Sequence, residues 1–314
     1  MAIPRSLLVD PDHGLCYHLV SRCVRRAWLC GNRHGESFAH RKRWIEERML
    51  VLAESFAVDV LAYSVMSNHF HIVVYFDPTV CESWSDDEVA RRWLRAFSTG
   101  VADQDGAKKA LLADRVRLQS CRRRLGSLSA FMQHLKQPIA VRINREDGVK
   151  GHLFEQRFYS AALLDEDAVL AAMRYVDLNP ARARIAKVLE EAENTSISRR
   201  LRATTRSSGN LDEYIGPVAT GVRQYARGDR ASAPHPVMPA ITVAAYIALL
   251  EETIEYDDCL QAGQSEYGAK AARWRESVRL FRRGQRAYGE AGRLAAWLAV
   301  RRFRKIERSA VVLH

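Results

Sequence analysis

Two histidines one residue apart, His69 and His71, open an apolar run that continues Ile72-Val73-Val74-Tyr75-Phe76. In an extended strand alternate side chains leave the same face, so both imidazoles point one way and Phe70 the other. Such a pair is a preset couple of nitrogen ligands for a divalent metal that takes one or two more from elsewhere. The same pattern also describes histidines packed at a strand end. A second cluster is Arg174 through Pro180, in which Tyr175 and Asn179 stand four residues apart. On a helix that spacing puts both on one face, about a turn from each other. A phenol beside an amide oxygen offers a nucleophile and a third metal ligand. Against this, Asn followed by Pro is a common cap and first-turn pair, and Tyr175 equally fits an ordinary core position.

The elements that must position these residues are legible from periodicity. Leu15 to Val24, after a His13-Gly14 break, reads as a strand. Arg41 to Ala57 carries apolar residues at helical spacing. Val58 to Met66 is a second strand, and a Ser67-Asn68 turn joins it to the third, His69 to Phe76, as a hairpin. Helical patterns follow at Asp86 to Phe97 and Ser127 to Asn144. Phe154 to Leu164 reads as a fourth strand, and Asp165-Glu166-Asp167 places acids where the next helix begins. That helix should run to about Leu178, because a residue before proline disfavours the helical region and marks Asn179 as an end. The expected fold is α+β, an antiparallel sheet with helices on one face.

Residues 1–199 are expected to form this domain. Residues 200–240, rich in Thr, Ser, Gly, Pro and Arg, read as a linker or irregular segment. Residues 241–314 read as a helical basic region: Thr242 to Tyr256 is one helix, and Ala269 to Ile306 a second, interrupted at Gly284, Gly289 and Gly292.

The chain of 314 residues carries a net charge of +11, and the segment Ala269 to Arg308 holds 13 Lys or Arg against three Glu. A solvated helix face usually mixes signs, so this concentration points to a polyanion, most simply nucleic acid, with an acidic protein as the competitor. Arg22, Arg25, Arg26, Arg122, Arg123, Arg124, Arg282 and Arg283 are candidate contacts to a DNA backbone. Trp274, Phe281, Trp297 and Phe303 interleave with the basic residues, and their spacing suits a helix core better than base stacking. Six cysteines show no C-x-x-C pair and receive no function. No apolar run is long enough to cross a membrane, and Met1 to Arg5 lacks a secretion signal's apolar core, so a cytoplasmic protein is expected.

Three stretches together carry a resemblance. Tyr63-Ser64-Val65-Met66-Ser67-Asn68-His69-Phe70-His71, then Gly151-His152-Leu153-Phe154-Glu155-Gln156-Arg157-Phe158, then Tyr175-Val176-Asp177-Leu178-Asn179-Pro180-Ala181-Arg182-Ala183 resemble the HUH single-tyrosine transposases. Within these the sequence is most similar to the REP-associated tyrosine transposase group, of the insertion-sequence 200-like superfamily. The resemblance spans about residues 12 to 190. It departs from the family pattern at Phe154, where tryptophan is frequent, and at Ser67, where proline often stands.

The resemblance implies an RRM-like or ferredoxin-like domain. It also implies a Mg²⁺ or Mn²⁺ ion held by His69, His71 and Asn179, and a catalytic Tyr175. The activity it implies is nicking and rejoining of single-stranded or hairpin DNA through a 5′-phosphotyrosine link. Two other readings stay open. One is a non-catalytic hairpin-DNA-binding protein on the same scaffold; the other is an RNA-binding protein, disfavoured by the lack of a K/R-G-F/Y strand signature. A homodimer and a monomer are equally compatible with the sequence.

Overall fold

The computed structural model describes residues 4, 7–24, 32–33, 36–97, 102–155, 157–207, 211–222, 237–261, 268–301 and 310–312. The chain runs from strand β1 (Leu15–Arg22) through two short strands, β2 (Asn32–Arg33) and β3 (Glu36–Ser37), to helix α1 (His40–Ala53). The hairpin β4 (Val58–Val65) and β5 (His69–Phe76) follows, closed by a bond from Met66 N–H to the His69 carbonyl at 2.9 Å. Helices α2 (Val80–Ser83), α3 (Asp86–Phe97), α4 (Gln104–Ala113), α5 (Arg115–Leu125) and α6 (Leu128–Glu146) come next. Strand β6 (Tyr159–Leu163) leads into α7 (Glu166–Asp177) and the short α8 (Asn179–Arg182). The remainder comprises α9 (Ser196–Ser207), α10 (Val243–Gln261), α11 (Gly268–Arg283), β7 (Ala287–Gly289), α12 (Ala291–Ala299) and β8 (Ala310–Val312).

Six strands form one sheet in the order β4-β5-β1-β6-β7-β8. The first four pair antiparallel, whereas β7 and β8 add in parallel. Both faces of the sheet are covered. Phe70, Ile72, Val74 and Phe76 of β5 join a core with residues of α1, α3, α4, α5 and α6. Val73, on the opposite face, joins a second core with α7 and the helices α9, α10 and α11. The α+β expectation of an antiparallel core sheet therefore holds, but its helices lie on both faces and not one, with α7 and the C-terminal helices covering the second. A strand that is apolar on both sides has to be covered on both sides.

Two further differences have local causes. The stretch read as one interrupted helix from Ala269 to Ile306 forms, in its described part up to residue 301, α11, β7 and α12. Gly284 takes φ +71°, which ends α11, and Gly289 takes φ +158° where a Cβ would lie 2.7 Å from the Asp165 carboxylate. The irregular segment after residue 200 also does structural duty. β4 is the sheet's edge, and Val218, Ala219 and Gly221 bond along it at Val58 and Val60, so the open ladder is closed. Asp59 anchors that cover by accepting from Thr220 Oγ1, Gly221 N–H and Val222 N–H at 2.6–2.9 Å.

Pro138 sits inside α6 and removes the amide that would bond the His134 carbonyl. Arg48 of α1 donates its Nε–H to that carbonyl at 3.3 Å, so a helix defect becomes a contact between the two helices. Asp165 caps α7 by accepting from Ala168 N–H at 2.8 Å, as the acidic cluster suggested.

Gly221 has no room for a side chain: a Cβ would stand 1.9 Å from the Phe56 carbonyl oxygen and 2.2 Å from that of Ala53. Gly221→Ala is expected to destabilise the protein by about 1–3 kcal/mol, read by denaturant unfolding. Unchanged stability would show that the 218–222 strap does not hold the edge strand.

Candidate active site

The register of β1 on β5 decides which side chains meet. Val20 pairs with His71, Arg22 with His69 and His18 with Val73, so His18, Val20 and Arg22 share the sheet face of His69 and His71. On the other side of β1, Val20 pairs with Tyr159 of β6. Helix α7 crosses this face and brings Tyr175 down onto it. The His71 and Tyr175 ring centroids are 5.7 Å apart, and those of His69 and His71 are 4.9 Å apart.

Both His69 and His71 have one ring nitrogen committed and the other left over. His69 Nδ1–H donates to Asn68 Oδ1 at 2.7 Å, and because that amide oxygen only accepts, the lone pair of His69 lies on Nε2. His71 Nδ1 is 2.9 Å from Nε2 of His18, which the sequence reading did not single out. The two rings stack with centroids 5.1 Å apart. The only signal for His18 was its place in a strand pattern, because its partner lies 53 residues away. Burial pushes His69 down to about 4, with Arg22 adding to the effect. Burial likewise holds His71 well below its ordinary value, with His18 and His69 next in effect, and pushes His18 down to about 3. At neutral pH all three rings are neutral, the state in which imidazole binds metal.

Asn179 starts α8, one turn beyond Tyr175, and its buried Nδ2 has no hydrogen-bond partner among the described residues. No cluster of three or more His, Cys, Asp or Glu arranged for a metal ion occurs among the described residues. A divalent ion here would need the Asn179 amide oxygen beside the two imidazoles. The residues fit that group: both histidines have nitrogens oriented by hydrogen bonds at Nδ1, and the donors are neutral.

Tyr175 is 7% exposed. Phe281 of α11 lies 5.0 Å from its ring, and the Arg182 guanidinium stands 4.2 Å over it. Arg182 also donates to the Tyr175 backbone carbonyl, while its other terminal nitrogen, Nη1, is buried without a partner among the described residues. Burial pulls Arg182 down to about 10, which still leaves it charged at neutral pH. The motif's own Asp177 points away from this cluster. It accepts from Ser196 Oγ, from Ile197 N–H at 2.9 Å and from the Tyr246 hydroxyl at 2.8 Å, tying α7 to α9 and α10. The other tyrosines near the motifs are committed elsewhere: Tyr63 donates to Glu46 at 2.6 Å, and Tyr159 donates to the Gln285 carbonyl.

The proposed backbone contacts divide. Arg22, Arg282 and Arg283 are exposed. Arg22 acts electrostatically on both His69 and His71 and Arg282 on Arg182, so these cations flank the site. Arg122 is instead turned inward, donating to the carbonyls of Cys81 and Trp84 and pairing with Asp86 at 2.7 Å. Those bonds hold α2 to α5 and commit three of the five guanidinium N–H groups within the protein. Arg123 is exposed, and Arg124 reaches the His134 ring at 3.1 Å. Arg25, Arg26 and Phe303 lie outside the described residues. Trp274, Phe281 and Trp297 are core residues at 2–6% exposure, in line with the helix-core reading. Cys16, Cys23, Cys81 and Cys121 are free and buried.

No protein-family model matches the sequence, and no curated protein matches it either. Among solved structures, one of a REP-associated tyrosine transposase bound to a REP hairpin aligns with 74% of this chain and all of its own, at 12% identity and a TM-score of 0.38. At that score the functional reading stands on the side chains alone. No helix among the described residues is long and apolar enough to cross a membrane.

The three depressed imidazoles contribute to the acid behaviour. Their folded pKa values lie below the unfolded value of 6.5, so in acid the unfolded chain binds more protons and stability falls as pH drops. Each such proton contributes a slope of about 1.4 kcal/mol per pH unit below about 6.5. Denaturant unfolding at pH 7.5, 6 and 5 should show that loss. A stability flat across this range would mean that the rings are not buried neutral.

Proposed function

We propose that this protein cuts and rejoins single-stranded or hairpin DNA, with Tyr175 as the nucleophile. One observation carries the reading: a phenol ring lies 5.7 Å, centroid to centroid, from a buried imidazole whose neighbour two residues away shares its sheet face. A pair of strand histidines, each with one nitrogen oriented, beside a tyrosine and flanked by arginines, suits phosphate chemistry better than packing. The resemblance of the three motifs to HUH single-tyrosine transposases points to the same reaction.

In that reaction the Tyr175 oxygen attacks phosphorus and forms a P–O bond to the enzyme. The bond from phosphorus to the 3′ oxygen breaks, giving a 5′-phosphotyrosine and a free 3′-hydroxyl. The phenol gives up its proton, and the departing 3′ oxygen gains one. The ester retains the energy of the broken bond, so rejoining to another 3′-hydroxyl needs no nucleotide. A free phenol has a pKa of about 10, so the site must favour its ionised form. The Arg182 guanidinium stands 4.2 Å over the Tyr175 ring, which sets a positive charge beside the nucleophile. Nε2 of His69 and of His71, with the Asn179 amide, would hold Mg²⁺ or Mn²⁺, which when bound polarises the phosphoryl oxygen and eases loss of the 3′ oxygen. Arg22, Arg282 and Arg283 supply sequence-independent attraction for the backbone.

Phe281 packs against the Tyr175 ring and the residue is only 7% exposed, so little of it is open to a phosphate. This burial favours a second reading, a hairpin-binding protein that does not cut. The two separate cleanly. Labelled single-stranded hairpin DNA with Mn²⁺ or Mg²⁺ should yield a covalent protein–DNA band on a denaturing gel. The band should vanish in Tyr175→Phe and with chelator. Binding without any adduct would establish the second reading, and an adduct surviving in Tyr175→Phe would move the nucleophile.

The flanking cations give an independent expectation. Arg282→Ala with Arg283→Ala should flatten the dependence of log affinity on log salt by about 1.4, the value for two contacts to a single strand. An unchanged slope would remove both from the DNA path.

A further inference from the structure

His18 is a buried polar side chain of this cluster that none of the three motifs contains. It stands on β1, 1% exposed, on the same sheet face as the imidazole pair and diagonal to His71 across the ladder. Its Nε2 meets His71 Nδ1 at 2.9 Å, and its Nδ1 is buried with no partner among the described residues. Leaving one nitrogen of a buried ring unsatisfied is costly. A position kept only for packing would be filled more stably by Leu or Phe. The whole hydrogen-bonding output of His18 is thus directed at one atom, and that atom belongs to a candidate metal ligand.

The geometry points to His18 as a positioning residue: we infer that it orients the His71 ring and holds the proton on Nδ1, so that the Nε2 lone pair serves a divalent cation. The inference rests on the functional reading above. The proton balance is simple. Only one proton can lie between His71 Nδ1 and His18 Nε2. When the His71 Nε2 lone pair is given to a cation, that proton must sit on His71 Nδ1, and His18 Nε2 accepts it. His69 achieves the same end by donating Nδ1–H to the Asn68 amide oxygen. The two histidines are therefore oriented by unlike partners, one from the hairpin turn beside it and one from a different strand. Neighbouring rings leave His18 little freedom to turn away. Tyr159, Tyr175 and Phe281 stand edge-on around it with centroids 5.7–6.1 Å distant.

Partners that orient metal-binding histidines typically contribute 10–100-fold to metal affinity. The test uses the full chain and Mn²⁺ alone, titrated by calorimetry or electron paramagnetic resonance. His18→Phe keeps an aromatic ring and removes the acceptor, and it should weaken Mn²⁺ binding by about 10–100-fold. His18→Gln returns an acceptor and should recover most of that loss, which a purely packing role would not predict. A His18→Phe protein that binds Mn²⁺ like the wild type overturns the inference, as does a Gln variant no better than Phe.

A second measurement needs no metal and covers the case in which His18→Phe folds poorly. The ring nitrogens of His71, observed by ¹⁵N nuclear magnetic resonance, should show a hydrogen-bonded Nδ1 in the wild type and in His18→Gln. Resonances showing no bond at Nδ1 in the folded wild type overturn the inference. Wild-type protein that shows this bond but takes up no Mn²⁺ overturns it too, because the oriented lone pair then serves no cation. That result also leaves the DNA adduct assay to decide the broader reading separately.

Discussion

The antiparallel register between β1 and β5 is the constraint from which the candidate chemistry follows. Because Val20 faces His71 and Arg22 faces His69, one surface of the sheet collects three imidazoles and an arginine. A slip by one residue would send His18 and Arg22 to the opposite core and replace them with Tyr17 and Ser21. That slip is opposed by the apolar side chains of both strands. Tyr17 and Leu19 of β1 and Phe70, Ile72 and Val74 of β5 are all buried in the core formed with α1 and α6. Burial of one such side chain contributes about 1.5–3 kcal/mol, so the packing on one face secures the polar geometry on the other.

The polar cluster is balanced by charge of one sign. Neutral, desolvated histidines sit between Arg22 at the exposed end of β1 and Arg182 beneath the Tyr175 ring. The Asp177 carboxylate within the tyrosine motif faces Ser196 and Tyr246, where it binds α7 to the C-terminal helices. Its removal from the imidazole side leaves a surface that attracts anions. The same aspartate thus serves the site by its absence from it and the fold by its presence between helices.

The C-terminal region has two physical roles. β7 and β8 extend the sheet beside β6, and α11 covers the tyrosine with Phe281 while showing Arg282 and Arg283 to solvent. Apolar and basic residues interleave along α11 because its two sides meet different surroundings: Trp274 and Phe281 pack inward, and the arginines stay in water. A helix built this way joins the core of the protein to the rim of its site.

Several features were legible from the sequence by itself. The hairpin around Ser67-Asn68, the shared face of His69 and His71, the acidic cap of α7 and the one-turn offset of Asn179 from Tyr175 all depend on neighbours a few residues apart. Strand alternation, helical pitch and capping settle such features locally. The uninterrupted apolar run Ile72-Val73-Val74-Tyr75-Phe76 also held the sign of a sheet covered on both faces. What covers the second face, however, comes from about a hundred residues later. Other features had no local signature. The partnership of His18 with His71, the inward turn of Arg122, the cover of Phe281 over Tyr175 and the strand β7 between two helices each join residues distant in sequence. Only the tertiary structure decided these, because burial and hydrogen-bond completion are properties of the packed whole: a side chain's partner is fixed by which elements are brought against it.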